Sequence, residues 1–368
     1  MMGNNWPSHG GRPEQILPHL GLAAHSEVID FSANLNPLGA PEWLPQRLIE
    51  SLAGLEAYPD PDYSAACRAI AQHEGLLPAQ VRLTNGGAEA IFLAAALLAE
   101  RGASRATIVE PTFCEYARAC HHYAMAVEAL PLKQEAPEHE GFVLNEALAL
   151  AAMRATDAVF LCRPNNPTGT LVERELIERM LREGQRHGSL LVVDEAFVDF
   201  VAPDERLTPL LARYDNLLLL RSMTKLYTIP GLRLGYLLGA EAVVQRIAAL
   251  QLPWSVNALA AALVEPLLAD TDYHARTLAW LDIERPWLEH ELRSLGLRVV
   301  PSCANFLLLQ DSGSRPMSAL LEHLARGGIL ARHTHNFTGL DGAWLRIAVR
   351  TRHDNTRLVK AVADWRAT

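Results

Sequence analysis

Between residues 81 and 240 short apolar runs alternate with longer stretches of helical periodicity, and this alternation confines the chain to a wound α/β sheet. The runs Val81-Arg82-Leu83, Thr107-Ile108-Val109, Ala158-Val159-Phe160-Leu161, Leu190-Leu191-Val192-Val193, Leu217 to Leu220 and Leu234 to Leu238 read as strands. Helical spacing fills the gaps, as in Ala88 to Glu100 and Glu173 to His187. After about residue 257 the pattern changes to long helices, followed by Leu297 to Val300, Asn305 to Leu309 and Trp344 to Val349, then a closing helix from about His353. The expected organisation is an N-terminal arm over 1–50, rich in Pro and Gly, a large α/β domain with a mostly parallel sheet over 51–257, and a small α+β domain over 258–368. No internal repeat or low-complexity segment interrupts it.

In an open α/β sheet ligands gather beyond the carboxyl ends of the strands, so the residues following each run are read together. After Leu83 comes Thr84-Asn85-Gly86-Gly87-Ala88-Glu89, whose bare backbone N–H groups open a helix and suit a phosphate. Phe113, after the strand ending at Val109, can stack on a flat ring or belong to the core. After Leu161 a turn carries Asn166, a donor suited to a phenolate oxygen. After Val193 stands Asp194, a carboxylate whose burial demands a cation, either a salt-bridge partner or a protonated pyridine nitrogen.

The fourth loop, Arg221 to Tyr236, places Lys225 between a hydroxyl and a guanidinium. A lysine amine can form an imine with a cofactor aldehyde while such neighbours hold a phosphate ester. Each loop alone also reads as an ordinary turn or ion pair. Together they make a phosphate cradle, an oxygen donor, a pyridinium partner and an imine-forming amine, the set that pyridoxal 5'-phosphate (PLP) requires.

Composition narrows the remaining classes. A formal net charge of -9 gives no basic field for nucleic acid. The five cysteines are scattered and form no C-x-x-C pair, so neither a disulfide framework nor a metal site is expected, and a reducing cytoplasm fits. The first residues show no basic-then-apolar leader, and the apolar stretch Ala90 to Ala99 is too short to span a membrane.

On these motifs the chain resembles the fold-type I PLP enzymes, and within them the branch of histidinol-phosphate aminotransferases and threonine-phosphate decarboxylases, from about His9 to Trp365. The resemblance implies that Lys225 is the Schiff-base lysine, Asp194 the ring-nitrogen partner and Asn166 the donor to the ring oxygen. It implies that Gly86, Gly87, Ala88, Ser222 and Arg233 form the phosphate cup. Tyr58 resembles the tyrosine that reaches the cofactor from a neighbouring subunit, which implies a homodimer with shared sites. Arg346 looks like the carboxylate-binding arginine, and Arg332 like a second substrate arginine directed to a phosphate. His9 and Arg350 join it, and Asn34 is placed with the substrate-binding residues.

Within this branch the segments His9-Gly10-Gly11, Asp30 to Gly39 and Pro253 to Leu259 are similar to those of the decarboxylases. Phe197 stands where the aminotransferases usually have a tyrosine. The implied reaction is decarboxylation of L-threonine O-3-phosphate in cobalamin biosynthesis. Transamination of histidinol phosphate is the alternative, and a non-catalytic regulator of the same fold a distant third. One departure concerns the cup, which reads Gly86-Gly87-Ala88-Glu89 where the decarboxylases often carry a hydroxyl, a hydrogen bond worth about 1.5–3 kcal/mol to a charged partner.

Overall fold

The computed structural model describes residues 6–23, 28–134, 141–313 and 315–368; residues 1–5 and 24–27 of the expected arm lie outside them. A seven-stranded sheet organises the chain. Its order is Val81–Thr84, Gly235–Gly239, Leu217–Ser222, Leu190–Asp194, Ala158–Cys162, Arg105–Glu110 and Ala126–Pro131. Four neighbouring pairs run parallel; Gly235–Gly239 is antiparallel to both of its neighbours. The sheet is therefore mostly parallel, as expected, with one reversed strand.

Side-chain alternation divides the strands between two cores. Val159, Leu161, Leu191, Val193, Leu217 and Leu219 pack on one face, where the helix Arg174–His187 contributes Leu176, Ile177, Met180 and Leu181. Ala158, Phe160, Leu190, Val192, Leu218 and Leu220 pack on the other, under the helices Gly86–Glu100 and Glu115–His122. Each fully buried leucine or valine contributes on the order of 1.5–3 kcal/mol. The sheet, rather than its loops, therefore holds the strand ends in place.

A second, four-stranded sheet has the order Leu297–Val299, Phe306–Asp311, Leu345–Ala348 and Arg332–His333, all antiparallel. The long helix Thr271–Ser294 and the closing helix Arg352–Ala367 pack together beside it. The arm contributes a helix, Pro13–His19, and a two-residue strand, Ile29–Asp30, that pairs in parallel with Ile329–Leu330. Phe31 continues this path, its carbonyl accepting from the Ala348 N–H at 2.8 Å. The arm is thereby carried to the strand that bears Arg346. Among the described residues no helix is long and apolar enough to cross a membrane.

Candidate active site

The turn after the strand Val81–Thr84 is built by glycines. Gly86 starts its helix at φ 73°, and a Cβ there would lie 2.5 Å from Arg233 Nη2. A Cβ on Gly235 would meet the Arg221 carbonyl at 2.7 Å and the Gly86 carbonyl carbon at 2.9 Å. Bare backbone at these positions brings three things together: the amino end of Gly86–Glu100, Ser222 at the end of its strand opposite Gly235, and the Arg233 guanidinium. A helix amino end with an adjacent guanidinium and hydroxyl is a site for a phosphate dianion.

Asp194 closes the strand Leu190–Asp194. Its carboxylate accepts from the Tyr116 hydroxyl at 2.7 Å and from the Ala196 N–H at 2.9 Å. Burial pushes the Asp194 carboxyl above its usual range, against the pull of those two donors and of the Lys225 charge. A cation at its free side would restore the carboxylate. Of the two sequence alternatives for Asp194, no arginine or lysine ion pair is formed among the described residues. The neighbouring Glu195 has one instead, with Arg221. Phe113 lies edge-on to Tyr116 with ring centroids 6.0 Å apart.

Lys225 is partly buried, and among the described residues its amine has no hydrogen-bond or ion-pair partner. Burial first, then the charges of Arg346 and Arg233, hold it down to about 8, with Asp194 opposing. These three charged groups thus surround the lysine from both ends of the site. Asn166 completes this wall, its side-chain oxygen accepting from Arg346 Nη1. The amide NH2 of Asn166 is thereby left to face elsewhere. Asn165 secures the turn by donating to Thr168 Oγ1 and to the Pro111 carbonyl, which ties it to the loop carrying Phe113.

In the four-stranded sheet Arg332 and Arg346 stand directly opposite one another on adjacent antiparallel strands. They are 3% and 6% exposed, and among the described residues neither has a carboxylate partner. Burial draws them down to about 10 and about 9, leaving both cationic at neutral pH. Two buried guanidiniums without counter-ions make a site for a doubly anionic ligand. Arg346 donates to the Ser32 carbonyl at 2.6 Å and lies 5.5 Å from the centre of Phe306, against which Phe197 packs edge-on at 5.0 Å. Arg332 donates to the Ser8 carbonyl at 2.7 Å and to Asn336 at 2.8 Å.

His9 sits beside Arg332, 3.3 Å from Glu115 and with its ring 5.8 Å from Phe113; burial leads in lowering its pKa. Donor atoms of His9, Cys114 and Glu115 lie within 4.8 Å of one another, the only such trio among the described residues. Arg118 already pairs with Glu115, and Arg332 lies near Cys114, so the field here favours anions. Asn34 is buried with its Oδ1 unpartnered. Arg350 is engaged, bonded to Asp354 at 2.9 Å and to the Asp30 carbonyl at 3.1 Å. Tyr58 stands apart, 82% exposed and packed on Trp254.

Tyr116 is the residue that sequence reading missed. It lies in the first turn of the helix Glu115–His122, and no local sequence signal marks it.

A fold of this kind with a lysine unpartnered among the described residues, a buried carboxylate and a glycine turn defines a class, and the chain belongs to the class I and II aminotransferase family, whose profile matches residues 26–362. Over 359 residues it is 38% identical to the threonine-phosphate decarboxylase of Salmonella typhimurium, covering 97% of this chain and 96% of that one. Among solved structures it is similar to the L-threonine-O-3-phosphate decarboxylase of Porphyromonas gingivalis, at TM-score 0.78 and 27% identity over 92% of this chain and 99% of that one. It is equally similar in sequence to the histidinol-phosphate aminotransferase of Clostridium acetobutylicum, at TM-score 0.84 and 27% identity over 92% and 98%. Backbone likeness therefore does not choose between the two reactions.

Enzymes of this family use PLP, and the residues here fit it. The glycine cup leaves room that a Cβ would fill, Asp194 lacks a cationic partner, and Lys225 offers a free amine.

Proposed function

We propose that the protein removes CO2 from L-threonine O-3-phosphate, leaving (R)-1-amino-2-propanol O-2-phosphate for cobalamin biosynthesis. The observation that carries this reading is the 38% identity, over 97% of the chain, to the Salmonella typhimurium enzyme. Phe197 supports it, since a phenylalanine lacks the hydroxyl that the aminotransferases usually carry at that position. The paired Arg332 and Arg346 support a substrate carrying both a carboxylate and a phosphate.

In this reading Gly86, Gly87, Ala88, Ser222 and Arg233 hold the cofactor phosphate. Asp194 and Asn166 hold the ring nitrogen and ring oxygen, and Phe113 covers the ring face. When bound, PLP accepts the electron pair left at the substrate Cα. Arg346 takes the carboxylate and Arg332, with His9 and Asn34 beside it, the phosphate. Anchoring both anionic ends fixes rotation about Cα and so decides which of its bonds breaks. Breaking the bond to the carboxylate carbon releases CO2, and Lys225 Nζ delivers the proton that takes its place. Tyr116 keeps Asp194 aimed and charged opposite the ring nitrogen. Arg350, bonded to Asp354, supports the strand end beside the substrate rather than reaching into it.

We also place the chain in a homodimer with Tyr58 reaching the neighbour's cofactor. Ile49, Leu52, Leu55, Tyr58, Leu252 and Trp254, all large and exposed, support that surface. A domain limit near residue 257 is supported by the separate sheets, the larger ending at Gly239 and the smaller beginning at Leu297, whereas the limit at residue 50 falls inside the helix Leu44–Ser51; five free thiols support a cytoplasmic location.

The test is product analysis. Protein loaded with PLP should release CO2 from O-phosphothreonine without any keto acid. Glutamate formation from histidinol phosphate and 2-oxoglutarate, with no CO2 from O-phosphothreonine, would assign the aminotransferase reaction instead.

A further inference from the structure

Strand alternation sends chain neighbours to opposite faces. Asp194 continues the row of Leu190 and Val192 toward Tyr116, and Ser222 continues the row of Leu218 and Leu220 toward the helix that begins at Gly86. Glu195 and Arg221 continue the opposite rows, Leu191 and Val193 in one strand, Leu217 and Leu219 in the other. On that far face they meet, Arg221 Nη2 lying 2.9 Å from Glu195 Oε2, with the two residues 2% and 1% exposed. The Glu195 N–H donates to the Leu220 carbonyl at 2.8 Å, so the parallel ladder continues one residue past Asp194. Arg221 also donates to Thr208 at 3.0 Å, and Thr208 donates to Glu74 at 2.7 Å. Glu74 also pairs with Arg206.

A fully buried ion pair is costly to desolvate and is seldom better for stability than apolar packing. Its position is the notable property. One member is bonded in the chain to Asp194, the other to Ser222, and the pair crosses between the two strand ends.

We propose that Glu195 and Arg221 are positioning residues: their ion pair clamps these strand ends so that the Asp194 carboxylate and the Ser222 hydroxyl keep the separation of a pyridine nitrogen and a 5'-phosphate. The inference rests on reading Asp194 and Ser222 as the two cofactor contacts. A ligand that touches both ends depends on the clamp. A ligand that touches only the Asp194 end does not.

The test compares the dissociation constants of pyridoxamine 5'-phosphate and of pyridoxamine, neither of which has an aldehyde for Lys225. Wild type should bind the phosphate ester far more tightly; equal affinities would remove the Ser222 reading itself. In Glu195→Gln, pyridoxamine 5'-phosphate should bind at least tenfold more weakly, with pyridoxamine changed less than twofold. Arg221→Lys, which keeps the charge, should fall between wild type and Glu195→Gln. Asp311→Asn breaks another short ion pair, between the smaller sheet and Arg366 of the closing helix, and should lower thermal stability while leaving both constants unchanged. Should Glu195→Gln fail to fold, the charge-free double variant Glu195→Met with Arg221→Met is measured instead, with the same selective loss expected. An unchanged ratio of the two constants in the folded variant overturns the clamp, and so does an equal loss for both ligands.

Discussion

Lys225 shows how much a single residue's chemistry depends on its surroundings. With its amine held down to about 8, roughly a tenth is neutral at pH 7, against about one in three thousand for an ordinary lysine. Only the neutral amine attacks an aldehyde. PLP uptake by cofactor-free protein, followed by visible absorption, should therefore quicken as pH rises and level off above about pH 8. A rate still climbing toward pH 10 would mean that burial and the Arg346 and Arg233 charges do not act on this amine. The lysine was legible in the sequence because it lies in a loop whose neighbours have complementary chemistry. Asp194 was legible because it ends an apolar run. That Asp194 faces the site while Glu195 faces an arginine was not, since two adjacent acids differ only in strand parity. Tyr116 was hidden for another reason: its bond to Asp194 joins residues 78 apart, and no local pattern reports such a contact.

At the scale of elements, the turn from Val81–Thr84 into Gly86–Glu100 couples backbone conformation to ligand binding. Gly86→Ala would place a Cβ at a left-handed residue, costing about 1–2 kcal/mol, and would drive it into the Arg233 guanidinium. The expected result is a melting temperature lower by a few degrees without cofactor. PLP should also bind at least tenfold more weakly, as read by fluorescence titration. A stability loss with unchanged affinity would show that Arg233 moves aside freely. Six of the seven large-sheet strands were readable as apolar runs. The seventh, Ala126–Pro131, is an edge strand with mostly exposed or half-exposed side chains and a terminal proline, so it lacks the apolar run that marks its neighbours. Nor could the reversal of Gly235–Gly239 be read, because strand direction leaves no mark on composition. In the smaller sheet the strand Arg332–His333 is too short to show a period, although its arginine was found through family likeness.

For the whole molecule the outstanding surface is the exposed apolar strip around Tyr58 and Leu252, with Leu252 76% exposed. If it joins two copies, Leu252→Glu should shift sedimentation from dimer to monomer and lower activity with it, because each site would lose its partner's tyrosine. A wild type that sediments as a monomer at micromolar concentration would exclude the shared site. Scattered in sequence between residues 49 and 254, this strip was not visible as a patch before folding; only Tyr58 was, by resemblance.

The carbonyls of Pro7 and Ser8 accept from Arg332, and Trp6 stacks flat on His335 at 4.4 Å. Residues more than three hundred positions apart thus meet around one buried guanidinium. For anyone handling the protein, residues 6–8 are accordingly a poor place to trim, since they pack on Arg332 and His335. Removing residues 6–8 would take away the carbonyls that hold the Arg332 guanidinium and the ring that covers His335.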